Sequence, residues 1–383
     1  MSRYDFDILV LGAGCSGLSL GYYYAQHPEA TARIGYLESR ESYKNDRTWS
    51  FWLHKDEDFA HEDILRQTWS KWRFSDNTGT VFTQSGTDYI YCCLPSGRFY
   101  DKTVSVIRRD PRQKLFACTA VESVNEHQDG VTVQVNGQTF MARKVIDTRP
   151  LPQQDILSRT KIFQIFTGLE IETNEPCFDP TVAGLMELLH SDNSKCAFVY
   201  TLPFDEHTAL IEWTIFATEF VPPQSLETDL HTHLTKRIPG SYMTGHKESG
   251  VLPMGFHSLP ASTRHVTLAG MAGDNLKPSS GYGFLRIQKW SAQAAHCIST
   301  GRFDELNHHR HSDKIAGFMD HTFLNVLRND MRKSAQIFVN IGNNMPGDRF
   351  ARFMSDRAGI SDYLNMIRAV PKWPFIKATL QKA

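Results

Sequence analysis

The chain has 383 residues, 41 lysines and arginines against 42 aspartates and glutamates, a formal net charge of −1 and a pI near 7.0. That length suits two domains, or one large α/β domain with an inserted layer, and the balanced charge excludes the electrostatic footprint of a nucleic-acid binder and a basic coat for anionic lipid. Seven cysteines, an odd number without a C-x-x-C pair, read as reduced cytosolic usage rather than a disulfide framework, and no apolar run approaches the ~20 residues that cross a bilayer.

Residues 4–40 form the first predicted unit. Asp7-Ile8-Leu9-Val10-Leu11 is an apolar strand that runs into Gly12-Ala13-Gly14-Cys15-Ser16-Gly17 and a helix, and a second strand, Ile34-Gly35-Tyr36-Leu37, ends in Glu38. This spacing binds a dinucleotide. Gly12 permits the tight turn, Gly14 lets backbone approach the pyrophosphate, and Gly17 lets helix pack on strand. The pyrophosphate sits at the helix N-terminus, where free N–H groups and the dipole favour an anion. Glu38 is placed to accept hydrogen bonds from ribose hydroxyls. The first strand begins so near the N-terminus that no signal peptide is expected.

Residues 41–52 are polar and then aromatic, as in a loop entering a pocket. Alternating aromatics over 69–100 predict short antiparallel strands. Residues 116–121 and 131–135 read as a hairpin, continued by 140–146, and 144–149 resembles the strand that closes a dinucleotide fold. Strand patterns return at 162–166, 196–200 and 209–216, implying a second sheet. A helix is predicted over 227–238 with Ser225 as its cap. The buried strand 266–270 leads into Met271-Ala272-Gly273-Asp274 and a helix from about 283 to 299. The tail, 301–383, is mostly helical, with Met319, Phe323, Val326 and Leu327 at helical spacing. Its 318–339 stretch, with Arg328, Arg332 and Lys333 interspersed, suits a packed core or a membrane interface.

The 268–274 turn is a second flavin signature. A strand–Gly–Asp turn of this kind meets the ribityl chain and second phosphate of FAD, so Asp274, preceded by Gly273, would accept a ribityl hydroxyl. Helix N–H groups near Gly281, Tyr282 and Gly283 would stabilise negative charge on a reduced flavin. The predicted fold is α/β. A Rossmann-like FAD-binding domain of the hydroxylase/reductase type comprises 1–50, 100–150 and 255–300. An inserted mixed β-sheet substrate domain comprises 51–99 and 151–254, followed by the helical C-terminal region.

Nearly the whole chain resembles the flavin-containing bacterial lycopene β-cyclase family. The resemblance is carried by Gly12-Ala13-Gly14-Cys15-Ser16-Gly17-Leu18-Ser19 and, most specifically, by Asn45-Asp46-Arg47-Thr48-Trp49-Ser50-Phe51-Trp52. Further matches are Gln164, Gly168 and Glu170, Phe178-Asp179-Pro180, Leu202-Pro203 and Leu210-Ile211-Glu212-Trp213-Thr214. Gly250 to Gly255, Ser279-Ser280-Gly281-Tyr282, Phe350 and Met354, Ser361-Asp362, Val370-Pro371 and Pro374-Phe375 complete the set. Two departures stand out. Trp213 occupies the place where some relatives carry a second acid, which counts against a two-carboxylate mechanism, and Pro150 stands where glycine is commoner.

The resemblance implies a redox-neutral isomerisation in carotenoid biosynthesis. A proton adds to the terminal double bond of lycopene, the neighbouring double bond closes on the resulting cation, and loss of a ring proton gives a β-ionone ring, yielding γ- or β-carotene. Glu212 is the implied acid, in an apolar setting that would raise its pKa, although alternation with Ile211 and Trp213 is also the pattern of an exposed strand position. Glu170 is a weaker candidate for proton transfer. Trp49, Phe51, Trp52 and Trp213 are the candidate substrate contacts, since aromatic faces attract a cation. Arg47 either pairs with Asp46 or contacts the flavin. The implied cofactors are reduced FAD and NAD(P)H as its reductant, with no metal and no nucleic acid. The implied partners are lycopene and related linear carotenoids, met by a cytoplasmic protein peripheral to the inner face of the cell membrane. A monooxygenase, a polyprenyl reductase or a non-catalytic flavin- or carotenoid-binding protein would share the nucleotide signatures but not require the Asn45–Trp52 run and Glu212.

Overall fold

The computed structural model describes residues 3–256, 259–307 and 314–380. In chain order it contains β1 (Phe6–Leu11), α1 (Cys15–Tyr24), β2 (Ile34–Leu37), β3 (Thr48–His54), β4 (Gln67–Trp69), β5 (Lys71–Asp76), β6 (Val81–Ser85), β7 (Tyr89–Pro95), α2 (Ser96–Arg109) and β8 (Gln113–Phe116). Next come β9 (Val121–His127), β10 (Gly130–Val135), β11 (Gln138–Asp147), α3 (Gln153–Arg159), β12 (Thr160–Thr173), β13 (Val182–Ser191), β14 (Lys195–Pro203), β15 (Thr208–Ala217), α4 (Glu227–Arg237) and β16 (Tyr242–Phe256). The rest is β17 (Val266–Leu268), α5 (Phe284–Ser299), α6 (Lys314–Asn329), α7 (Ser334–Asn344), α8 (Gly347–Met354), α9 (Ile360–Ala369) and α10 (Lys372–Leu380).

The first sheet runs β8-β2-β1-β11-β10-β9, with β17 against β11. Its β8, β2, β1, β11 and β17 are parallel, and β9 and β10 add an antiparallel hairpin. Ile8 to Leu11 are fully buried because helices α1, α2 and α5 cover one face and Val131, Val133 and Val145 pack on the other, the reason a parallel strand reads as an unbroken apolar run. The α/β fold with its Rossmann-like unit is therefore borne out. The predicted hairpin is corrected in one respect. Phe116 ends β8, parallel to β2, and the antiparallel partner of β10 is β9, which begins at Val121.

The second sheet, β16-β12-β15-β14-β13-β5-β6, is antiparallel except between β13 and β5. Residues 71–85 join it as β5 and β6, whereas β3, β7 and β4 form a separate three-stranded sheet. One face of the large sheet packs on α4 through Leu230 and Leu234. The other meets α6 to α10 in the largest apolar core. The apolar side chains of the 318–339 stretch other than the exposed Phe318 belong to this core, with Phe338 and Leu327 buried there and Met319 and Phe323 packed against it. Helix α4 starts at Glu227 after a 3₁₀ turn, and Ser225 does not cap it, because its hydroxyl donates to the Pro222 carbonyl instead.

Candidate active site

The N-terminal turn has the backbone demanded of a dinucleotide cradle. Gly12 has φ 85°, and its N–H donates to the Leu37 carbonyl at 2.8 Å. A Cβ on Gly17 would lie 2.4 Å from the Gly12 carbonyl oxygen, whereas one on Gly14 would meet only an Arg40 nitrogen, at 3.8 Å. Gly17 thus closes helix on strand, and Gly14 leaves the turn open to a ligand. Glu38 is buried. Its Oε2 accepts from Ala13 N at 2.9 Å and Arg40 Nη2 at 3.0 Å, its Oε1 from Arg40 N at 2.9 Å and Nε at 3.1 Å. Burial alone would raise this carboxyl, but the Arg40 bonds hold it below the usual carboxylate range. Glu38 therefore braces the turn, and a ribose hydroxyl would have to share its oxygens with Arg40.

The second signature is equally constrained. A Cβ on Gly273 would sit 2.5 Å from Ala269 Cα and from the Leu268 oxygen, Asp274 is exposed with φ 62°, and Gly281 has φ 72°. The hydroxyls of Ser16 and Ser280 are buried without a protein partner. Unpartnered hydroxyls at both glycine turns, with open space at Gly14, fit a nucleotide with hydroxyl and phosphate acceptors.

The sheet brings two carboxyls together. Gly168 on β12 is in register with Glu212 on β15 and with Glu248 on β16, and Glu212 is in register with Tyr200 on β14. Paired residues share a face, so the two carboxylates flank a residue without a side chain. A Cβ on Gly168 would fall 2.7 Å from Glu212 Cγ. Across this gap Glu212 and Glu248 hydrogen-bond. They are 9% and 5% exposed. Glu248 Oε2 also accepts from Thr48 Oγ1 at 2.7 Å and pairs with His246 Nε2 at 3.0 Å. Burial and the neighbouring Glu248 carboxylate push Glu212 well above the carboxylate range. Glu248 is lowered despite its burial, by the bonds from His246, Glu212 and Thr48. One carboxyl is held as an acid and the other as a base, the pattern expected when like charges share a site.

Both face a cavity of about 650 Å³, lined on the sheet side by Gln164, Phe166, Phe198, Tyr200, Thr214 and Phe216 and on the helix side by residues of α6 to α10. Tyr91 bonds to Tyr200 at 2.8 Å and to Tyr282 at 2.9 Å, a hydroxyl trio beside the acid. Burial raises all three phenols, Tyr282 to about 12.

The structure brings Glu212, Trp49, Trp52, Arg47, Gly281 and Tyr282 to this cavity. Arg47 does not pair with the Asp46 carboxylate: its guanidinium donates to the carbonyls of Asp46 and Ser249, both at 3.1 Å, while the Asp46 carboxylate accepts from Ser96 and Tyr100. Three expectations need correction. Glu170 is tied to Arg66 in a bidentate ion pair at 2.6 and 2.9 Å and does not line the cavity. Phe51 is buried core, stacked on Phe284 at 5.0 Å. Trp213 projects from the opposite face of the sheet, with the α4 cluster, because neighbours of Glu212 along a strand must point the other way. Sequence reasoning missed Glu248, Tyr91 and Tyr200. No local pattern marks them, since Glu248 and Tyr200 are joined to Glu212 only through strand register and Tyr91 only through its hydroxyl contacts with Tyr200 and Tyr282.

The family model described as lycopene cyclase protein matches residues 7–380. Comparison with curated proteins finds no match. Among solved structures the chain is similar to a geranylgeranyl bacteriochlorophyll reductase-like protein from Thermoplasma acidophilum, with 14% identity, 98% of each chain covered and TM-score 0.62. It is also similar to the p-nitrophenol 4-monooxygenase PnpA from Pseudomonas putida DLL-E4, with 16% identity, 97% of this chain and 98% of that one covered and TM-score 0.60. A variant of the halogenase PltM in complex with FAD shares 13% identity, with 99% and 92% covered and TM-score 0.59.

Proposed function

The chain belongs to the lycopene cyclase family, and from that membership we propose that it is a lycopene β-cyclase. The observation that carries the reading is Glu212, a buried acid facing an apolar cavity. Glu212 donates its proton to a terminal double bond of linear lycopene. The tertiary cation is attacked by the neighbouring double bond, and loss of a ring proton leaves a β-ionone ring without net redox change. Trp49, Trp52, Tyr200 and Tyr282 exclude water and face the cation. FAD would be held by Gly12, Gly14 and Gly17, by Glu38 with Arg40, and by Gly273, Asp274, Gly281 and Arg47, with Ser16 and Ser280 as further donors. When bound and reduced, with NAD(P)H as reductant, it supplies negative charge that favours a nearby cation.

Peripheral membrane contact, on the inner face of the cell membrane, follows from a substrate dissolved in lipid. No described helix is long and apolar enough to cross a membrane. Ile360, Leu364 and Ile367 on α9 and Trp373, Ile376 and Leu380 on α10 are exposed, and Ile367 and Ile376 also line the cavity. An apolar surface continuous with an apolar cavity supports entry of the substrate there.

A redox flavoprotein acting on a lipophilic substrate is the second reading, favoured by the reductase-like and monooxygenase folds. Expression in lycopene-producing cells, with pigments separated by chromatography, distinguishes them. The wild type is expected to yield ringed carotenoids, and Glu212→Gln none while it keeps its flavin. Unchanged lycopene beside flavin-loaded wild type, or rings formed equally well by Glu212→Gln, overturns the reading.

A further inference from the structure

We propose that Glu248 is the base that takes the ring proton at the end of the reaction and returns it to Glu212 across Gly168. The inference rests on the cyclase reading and adds the step that completes its proton cycle. Side chains two strands apart start about 10 Å from one another, and they meet here only because β12 contributes a glycine between them. Thr48 and His246 both engage Oε2 of Glu248, leaving Oε1 clear of them. Both carboxyls line the same cavity.

Several other polar groups at or near the cavity are poorly suited to accept a proton. Asp320 has both oxygens engaged, Oδ1 by Ser279 at 2.6 Å and Oδ2 by Lys277 at 3.3 Å. Arg47 has no free lone pair to offer. Tyr200 and Tyr282 are neutral phenols whose ionisation burial opposes. Glu170 is neutralised by Arg66 away from the cavity.

The cycle balances. The Glu212 O–H bond breaks as the proton bonds to the CH carbon of the terminal double bond, leaving the positive charge on the tertiary carbon beside it. A ring C–C bond forms from the neighbouring double bond, which moves the positive charge to a ring carbon. The adjacent C–H bond breaks, its electron pair becomes the ring double bond, and the proton bonds to Glu248. Transfer through the hydrogen bond between the carboxyls then restores Glu212–H and ionised Glu248, with no oxidant or reductant consumed.

The test uses full-length, flavin-loaded, reduced protein with lycopene in vesicles made up in D₂O. Glu248→Gln keeps the shape and can still accept the Glu212 hydrogen bond, but takes no proton. It is expected to form β-rings at least roughly a hundredfold more slowly than wild type, while deuterium enters the terminal groups of recovered open-chain lycopene, because Glu212 still donates reversibly. Glu212→Gln should show neither rings nor exchange. β-Rings from Glu248→Gln within threefold of the wild-type rate overturn the proposal, and so does folded, flavin-loaded Glu248→Gln without deuterium exchange. Should that variant not fold, Glu248→Asp decides: ring formation or exchange upholds the proposal, and neither in a folded protein overturns it. Wild type that forms no rings at all would instead sink the cyclase reading, a separate outcome.

Discussion

A missing side chain organises the site. Gly168 lies inside a fourteen-residue strand, where glycine ordinarily costs stability, and the space it leaves is where two carboxyls meet. Gly168→Ala is therefore expected to fold but to force Glu212 aside, since the added Cβ would be 2.7 Å from Glu212 Cγ rather than from the mobile end of that side chain. Misplacement of about 1 Å costs on the order of 10²-fold in rate, so ring formation by this variant, measured from pigment profiles at matched protein levels, should fall at least about tenfold with flavin content unchanged. The glycines of the nucleotide turn were legible in the sequence because their spacing encodes a local backbone shape. Gly168 was only a family match, because its purpose depends on residues 44 and 80 positions further along the chain. Glu248 was not legible at all for the same reason: strand register is a long-range property, and a lone acid before Ser249-Gly250 carries no local mark.

At the level of elements, α9 and α10 depart from the usual burial of apolar faces. Ile360, Trp373 and Leu380 are 75%, 72% and 71% exposed. The one carboxylate on the two helices, Asp362, is buried against Arg352, whereas Arg368, Lys372 and Lys377 are exposed. The outward surface is thus apolar with positive charge interspersed, the composition of an interfacial helix pair. Fully burying one such side chain is worth about 1.5–3 kcal/mol, so even partial insertion of three is substantial. The triple variant Ile360→Ser/Trp373→Ser/Leu380→Ser should lose on the order of 10²-fold in partitioning to anionic vesicles, measured by co-sedimentation, with its thermal unfolding midpoint little changed. From the sequence, 318–339 suited a packed core or an interface. Helical spacing of apolar residues looks alike in core and surface helices, and only packing shows that α6 and α7 turn most of theirs inward.

Across the whole molecule, the nucleotide unit and the C-terminal helices are joined by buried charge. Lys277, in the loop after the Gly273–Asp274 turn, bonds to Asp320 of α6 at 3.3 Å and to Asp356, just beyond α8, at 3.0 Å. Arg286 of α5 also bonds to Asp356, whose carboxyl it and Lys277 hold below the usual range against its burial. Removing one partner of a buried pair costs about 3–5 kcal/mol. Lys277→Met is thus expected to lower stability by about that amount in chemical denaturation, and Lys277→Met/Asp320→Asn to regain part of it. The overall α/β architecture was readable from periodicity and the two glycine turns. The docking of the helical tail was not, because no local pattern pairs Lys277 with acids 43 and 79 residues away.

The tyrosine trio has a further consequence. Tyr91 owns a single hydroxyl hydrogen but has two phenol neighbours, so at least one of Tyr200 and Tyr282 must spend its own hydrogen on Tyr91. That phenol has only lone pairs left for the cavity it lines. The wall beside Glu212 is therefore electron-rich at that point, and the positive centre of the proposed reaction would gain from those lone pairs.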